Sequence, residues 1–414
     1  MSGLAEVTSP PYDVIAHDIE DQLMAADPHN VVRLILPHQV RGHPGDGCGE
    51  AARMLQAWQD GQILRIDPDP ALYVYEQAVA DGPGMTVNQR GLIGALRLEP
   101  LDAGVIRPHE GVAPGPVAGR RQLMEATQAN LEPIFLLYDR SEPGAAGRAI
   151  AAAAGTTPPL AQAVTRDGVR HRIWAITDPA RLAAIAADLA PARPVIADGH
   201  HRYSAYLELQ RRRRAAGAGP GPWDYGLALL VDARAYPPQV GAIHRIIPQL
   251  DPAAAAELAK AAFRVRALPG GDTGLPAAVS ELAAASSHGV AFLVADDAAA
   301  YLLTEPDQLQ VDAAMPAGRS VRWRGLAASV LQELLVGRIW GIRDSDRNVG
   351  FVHNDPAAAI RAASEAGGTA VICSPMSAAD VYAVAARGEL VPRKSTSFDP
   401  KPRTGLVIRT FAQS

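Results

Sequence analysis

Runs of apolar residues broken by short polar segments dominate this chain. Their spacing switches between the two-residue period of strands and the 3.6-residue period of helices. Residues 71–77 and 90–98 read as strands across a Gly82-Pro83-Gly84 turn, and 164–177 reads as a second hairpin around Asp167-Gly168. Residues 30–36 (Asn-Val-Val-Arg-Leu-Ile-Leu) read as a buried strand with Arg33 inside it, and 132–138, 194–197, 225–232 and 241–247 as further strands. Helical spacing marks 17–26, 50–61, 120–130, 144–154, 179–189 and a helix through Tyr203–Leu209. Residues 38–49 and 111–119 read as Gly-rich loops. Past Asp251, helices over 252–263, 275–285, 325–336, 356–366 and 377–387 mix with strands over 289–295, 299–304, 369–373 and 405–409, with a Gly/Pro loop after Phe263. This mixture predicts an α/β (mixed α+β) fold with mixed sheets, in three blocks. Residues 1–100 form an N-terminal α/β region with a substrate-side loop, 101–250 a core, and 251–414 a C-terminal α/β region with a basic closing loop.

Composition narrows the class. With 414 residues, 48% hydrophobic and 20% charged, the chain suits two or three packed units with a sizeable core. A net charge of -5 speaks against a nucleic-acid surface. Cys48 and Cys373 stand far apart with no partner motif, which excludes a disulfide framework and fits a reducing compartment. The opening residues lack a basic region followed by an apolar core, and no apolar run is long enough to span a bilayer. A cytoplasmic protein with no membrane partner is expected; a homodimer is left open.

Three polar segments then stand out. Asp198-Gly199-His200-His201-Arg202-Tyr203 follows an apolar strand and opens a helix. Unpaired backbone N–H groups and the positive end of the helix dipole meet there, which suits an anion, commonly phosphate. Gly199 lets another group approach the backbone closely. Pro108-His109-Glu110 delivers a histidine and a carboxylate into a loop, and the tail 394–401 offers Lys394, Ser395, Thr396 and Lys401. A carboxylate, an anion-binding helix end and two lysines beside hydroxyls are the inventory of phosphoryl transfer. Glu110 is the candidate base and Asp198 the candidate Mg2+ or hydroxyl orienter. His200, His201 and Arg202 form the phosphate shell, with His109, Gly199, Arg120, Lys394, Ser395, Thr396 and Lys401 as further nucleotide contacts. Tyr12, Asp13, Arg33, His244 and Arg245 are substrate-side candidates. A metal hydrolase using Asp198, His200 and His201 with His109 or Glu110 on zinc or iron is the competing chemistry. Adjacent histidines on a helix point about 100° apart, which counts against it. No phosphate-loop, nucleophile-elbow or dinucleotide glycine motif is present.

The motifs Ser9-Pro-Pro-Tyr-Asp-Val-Ile15, Asn30-Val-Val-Arg-Leu34, Pro108-His-Glu110, Ala129-Asn130, Pro133-Ile134-Phe135, Ala197–Tyr203, Lys394-Ser-Thr396, Pro400-Lys401 and Gly405-Leu-Val407 resemble, in this order, the DUF1015 family. Within them, Pro108-His109-Glu110, an arginine (Arg120 or Arg121), Pro133-Ile134 and Asp198–Arg202 are similar to the core of ParB/sulfiredoxin-type domains, nearest to the free-serine kinases of that group. The resemblance implies a ParB/sulfiredoxin-like core over 101–250. It also implies phosphate transfer from ATP or ADP, with Mg2+, to the hydroxyl of L-serine or a serine-like metabolite. Glu110 would stand at the catalytic glutamate, and Asp198, His200, His201 and Arg202 at the nucleotide-phosphate motif. A ParB-like nucleotide switch acting on a partner or DNA is the alternative it allows. Gly111-Val112 stand where the family pattern has Arg-Thr, and Gly241-Ala-Ile-His244-Arg245 where it has Pro-Thr-His-Arg. These departures bear on the substrate more than on the phosphate site.

Overall fold

The computed structural model describes residues 3–37, 47–81, 84–345 and 347–411. Most of the glycine-rich segment expected over 38–49, and the Gly82-Pro83 part of the first hairpin turn, lie outside the described residues. The chain gathers into two units, one of Met1–Pro108, Val112–Pro238 and Pro400–Ser414, the other of His109–Gly111 and Gln239–Asp399. Each carries its own sheet and helices, so the fold is mixed α/β.

The first unit is built on a seven-stranded sheet in the order Ala161–Val164, Arg170–Ile176, Leu72–Asp81, Gly84–Arg97, Tyr225–Asp232, Ile134–Tyr138, Val195–Asp198. Every neighbouring pair is antiparallel except Ile134–Tyr138 with Tyr225–Asp232, so the sheet is mixed as expected. Ile134–Tyr138 is buried along its whole length, and Ile134, Leu136 and Ile196 pack against Tyr203, Tyr206 and Leu209 of the helix His200–Ala215 and against Met124. Val74, Leu92, Trp174 and Ile176 pack against Ala146, Ile150 and Ile185 from the helices Ala145–Thr156 and Pro179–Leu189.

The second unit carries a six-stranded, wholly antiparallel sheet in the order Arg264–Leu268, Ala300–Thr304, Phe292–Ala295, Thr369–Ile372, Ile243–Ile247, Gly350–His353. Its alternation is legible along a single strand. Phe292 and Val294 enter a core with Trp323, Leu334 and Leu335, while Leu293 and Ala295 enter another with Leu282, Ala359 and Ala363. Both faces are buried, which explains continuous apolar runs in place of polar alternation.

Several elements differ from their sequence reading. Residues 30–36 form no strand but a helical turn, Val32–Ile35. Asn30 explains it: its Oδ1 accepts from the Val32 N–H at 2.9 Å while its Nδ2 donates to the Glu6 carbonyl at 2.6 Å, a local bond that only a turn satisfies. A short apolar run fits either conformation by periodicity alone. The loop expected over 111–119 gives way at Pro114 to the helix Pro114–Thr127, which opens with proline in its first turn, where a missing N–H costs nothing. Residues after Phe263 form the strand Arg264–Leu268, and the helix expected over 325–336 is Ala327–Ser329 running into a π-helix, Val330–Ile339. The last strand is only Arg409–Thr410, paired with Ala129–Asn130.

Candidate functional site

In the first unit the register pairs Asp198 with Phe135, so the end of Val195–Asp198 meets the start of the neighbouring strand, where Glu132 and Pro133 lie. Gly199 then turns the chain in the left-handed region, φ 96°, and the helix begins at His200. A Cβ at Gly199 would stand 3.0 Å from Ile134 Cγ2 and 3.2 Å from Arg202 Cζ, so both the conformation and the space call for glycine. This turn folds Arg202 back onto the strand ends. Its Nη2 donates to Asp198 Oδ2 and its Nη1 to the Pro133 carbonyl at 2.5 Å. Tyr206, one turn further, donates its hydroxyl to the Glu132 carbonyl at 3.0 Å.

The other Asp198 oxygen, Oδ1, accepts from Lys401 Nζ at 2.5 Å, and the same ammonium lies 3.6 Å from Asp13 Oδ2. Glu132, 3% exposed, accepts from the Tyr12 N–H at 3.1 Å and faces Arg120 Nη1 at 3.8 Å. The Arg120 guanidinium lies 4.2 Å from the Tyr12 ring centre and that of Arg202 5.9 Å. Three carboxylates and three cations are thus interleaved.

Burial and charge act differently on each member. Burial alone would raise the Asp198 carboxyl, but Lys401 and Arg202 outweigh it and hold it well below the usual carboxylate range. Glu132 goes the other way: burial raises it despite Arg202 and Arg120. Burial would lower Lys401, yet the Asp198 and Asp13 charges push it above its ordinary value. Tyr12 is pushed up to about 12, mainly by burial. Arg202 stays firmly charged because Glu132 and Asp198 outweigh its own desolvation.

The two histidines of the motif differ. His200 is buried beside Asp198, while His201 is partly exposed and its Nε2 accepts from the Ala113 N–H at 3.0 Å. Arg120 also donates to the Ile35 carbonyl at 2.7 Å, and Arg33 gives its Nη2 to the Met24 carbonyl at 2.6 Å. Of the substrate-side candidates in this unit, the structure brings Tyr12 and Asp13 to the cluster.

In the second unit Glu110 Oε1 accepts from the backbone N–H of Lys394 at 2.9 Å, and Lys394 sits in the left-handed region at φ 52°. His109, buried, shares a hydrogen bond at 2.9 Å between its Nε2 and Thr396 Oγ1, with the Phe398 ring against its edge. The Pro-His-Glu segment and the 394–396 segment are therefore joined twice. Arg245 reaches the same segment: its Nη1 donates to the Lys394 carbonyl at 2.7 Å and its Nη2 to the Arg393 carbonyl at 3.2 Å. The adjacent His244 accepts at Nδ1 from the Cys373 N–H at 3.2 Å, and burial pushes its imidazole down to about 4.

Glu132 and Tyr206 were not singled out by the sequence. The usable signal for Glu132 was a carboxylate placed directly before the apolar strand Pro133–Tyr138. Among the described residues, no group of three or more His, Cys, Asp or Glu side chains could hold a metal ion. Nor, among them, is any helix long and apolar enough to cross a membrane.

With this geometry in place, the chain can be compared with known proteins. No curated protein matches it in sequence. Similar solved structures include a conserved hypothetical protein from Pyrococcus furiosus, with 13% identity over 75% of this chain and 91% of that one, at a TM-score of 0.34. A free serine kinase in complex with AMP is similar at 14% identity over 74% and 86%, TM-score 0.35. A C-terminally truncated SbnI from Staphylococcus aureus follows at 11% identity over 74% and 82%, TM-score 0.31. The family model described as "Protein of unknown function (DUF1015)" matches residues 1–329, which include the Pro-His-Glu segment, the Asp198–Arg202 turn and His244-Arg245; the chain belongs to that family.

Proposed function

We propose that this protein is a small-molecule kinase that moves a phosphoryl group from ATP or ADP to the hydroxyl of free L-serine or a serine-like metabolite. The observation that carries the reading is the buried Asp198–Arg202–Lys401 cluster on the Gly199 turn, at the start of a 16-residue helix. Lys401 is the cation best suited to follow a phosphate, because an ammonium on a flexible stem can re-aim its donors. Arg202, held by Asp198 and the Pro133 carbonyl, stiffens the turn and contributes fixed positive charge. His200, His201 and Gly199 belong to the phosphate shell.

In the reaction, the hydroxyl proton of the acceptor passes to the Glu110 carboxylate as its oxygen bonds to the terminal phosphorus. The bond from that phosphorus to the bridging oxygen breaks, leaving the nucleotide one phosphate shorter. Tyr12, Asp13 and Arg33 recognise the acceptor, since a zwitterionic amino acid needs an anion for its ammonium and a cation for its carboxylate. Mg2+ would be held by Asp198 and would supply neutralisation of phosphate charge.

Incubating the purified protein with ATP or ADP and serine, and following phosphoserine by mass spectrometry and 31P NMR, tests the reading. Phosphoserine formation matched by nucleotide turnover is expected. Absence of turnover with every hydroxy amino acid, in a protein that also binds no nucleotide, ends it.

A further inference from the structure

The second unit holds an open cavity of about 710 Å³. That volume lies in the range of small-molecule sites, about 300–1,000 Å³. Its walls are mostly apolar, with Ile243, Val290, Phe292, Leu326, Leu331 and Met376 among them.

Two buried polar groups interrupt these walls. Arg245, 6% exposed, lines the cavity and has three hydrogen bonds, all to backbone carbonyls: Ile243 at 3.1 Å, Lys394 at 2.7 Å and Arg393 at 3.2 Å. A guanidinium carries five N–H donors, so two remain. Its face lies 4.8 Å from the Phe351 ring centre, and no carboxylate is hydrogen-bonded to it. Ser395, 8% exposed, lines the same cavity, and its Oγ is buried without a hydrogen-bond partner. A buried guanidinium with donors left over and a buried hydroxyl lacking a partner each cost free energy unless something else completes them.

The charge of that missing group can be read from the lining. The other arginine there, Arg322, is paired with Asp380 at 2.6 Å, so Arg245 is the lining arginine with no carboxylate hydrogen-bonded to it. One charge presented through a planar guanidinium suits a carboxylate, whereas a phosphate would bring a second negative charge with no cation to meet it. We propose that this cavity is a binding site for a small carboxylic acid with an apolar body, its carboxylate on Arg245 and Ser395 and its body against the Ile243–Phe292–Leu326 wall. The proposal is independent of the kinase reading, because occupancy of the cavity can be measured without nucleotide or turnover.

The test is calorimetric titration and thermal-shift measurement on the full chain with four probes: 4-phenylbutyrate, its neutral amide, 3-phenylpropyl phosphate and acetate. A charge-assisted pair in a mostly apolar cavity predicts 4-phenylbutyrate binding about 10- to 100-fold tighter than the amide. Acetate, which lacks the apolar body, and the phosphate should both be weaker than 4-phenylbutyrate. Ser395→Ala should weaken 4-phenylbutyrate without destabilising the empty protein, since it deletes a hydroxyl that has no partner. Ala328→Trp, which fills the cavity from its partly exposed wall, should abolish binding while the circular dichroism spectrum stays unchanged. Equal binding of acid and amide, tighter binding of the phosphate, full binding by Ala328→Trp, or no binding of any probe at millimolar concentration would each overturn the proposal.

Discussion

Replacing Lys401 by methionine keeps the side-chain stem and removes only the ammonium, which isolates what that charge does. Lys401 and Asp198 are 14% and 8% exposed at the side chain, with Nζ 2.5 Å from Oδ1. Removing one partner of a buried ion pair costs about 3–5 kcal/mol, because the other charge is left uncompensated. Asp198 keeps Arg202, so the loss should fall at or just below the bottom of that range, about 2–3 kcal/mol. With a urea slope of about 2–3 kcal/mol per molar, the midpoint at pH 7 should fall by about 1 M. The pH dependence supplies a second check. The folded-state pKa of Asp198 is depressed, so its contribution is present above the unfolded value near about 3.9 and disappears as pH falls through the folded one. Lys401 is raised, so its contribution is present below about 10.4 and disappears as pH rises through its folded value. The gap between wild type and Lys401→Met should therefore be full between about pH 5 and 9 and narrow below about 4. Urea titrations followed by far-UV circular dichroism at several pH values measure it, with Lys401→Arg as the charge-keeping control. A midpoint within about 0.2 M of wild type at pH 7, or an equal gap at pH 3, would refute the reasoning.

Gly199→Ala should lower stability by about 1–3 kcal/mol, because φ 96° is combined with contacts at 3.0 and 3.2 Å; Gly168→Ala, with φ 78° and open space around it, should cost less in the same denaturation assay. Glu132, whose pKa is raised by burial, makes wild type lose stability as pH rises from about 4.3 towards its folded value, and Glu132→Gln should remove that slope in a stability–pH profile. If Glu110 takes the hydroxyl proton, Glu110→Gln should cut phosphoserine formation by about 10²–10⁴-fold while nucleotide affinity, measured calorimetrically, changes little; equal turnover by the variant would remove Glu110 from the mechanism.

Much of the secondary structure could be read from the chain because apolar periodicity reports a local property. The helix Pro179–Leu189 and the strand Tyr225–Asp232 fall where spacing places them, each bounded by a local stop signal. The failures share a cause. Residues 30–36 hold apolar side chains that suit any buried conformation, and the choice is made by the Asn30 bonds to Val32 and to Glu6, the latter 24 positions away. Arg264–Leu268 alternates weakly because its outward positions are exposed, and it becomes a strand by pairing with Ala300–Thr304.

The candidate sites were legible in a different sense. Asp198, Gly199 and Arg202 could be chosen because dense polarity at the end of an apolar strand is costly unless it is used, and that cost is visible in one segment. Which groups meet them was not visible. Asp198 is joined to Lys401 across 203 positions, and Tyr12 to Glu132 across 120, separations at which sequence spacing carries no geometric information. The order of motifs named several of these residues as members of one site; it could not say that one ammonium would serve two carboxylates, or that a glutamate ahead of a strand would balance two arginines. Charge bookkeeping at this cluster is therefore a property of the fold. A substitution such as Asp13→Asn, which looks peripheral in the sequence, acts on the same Lys401 ammonium that Asp198 holds. The two carboxylates should consequently be coupled in a double-mutant cycle, with an interaction energy of about 0.5–3 kcal/mol; strict additivity would place Asp13 outside the cluster.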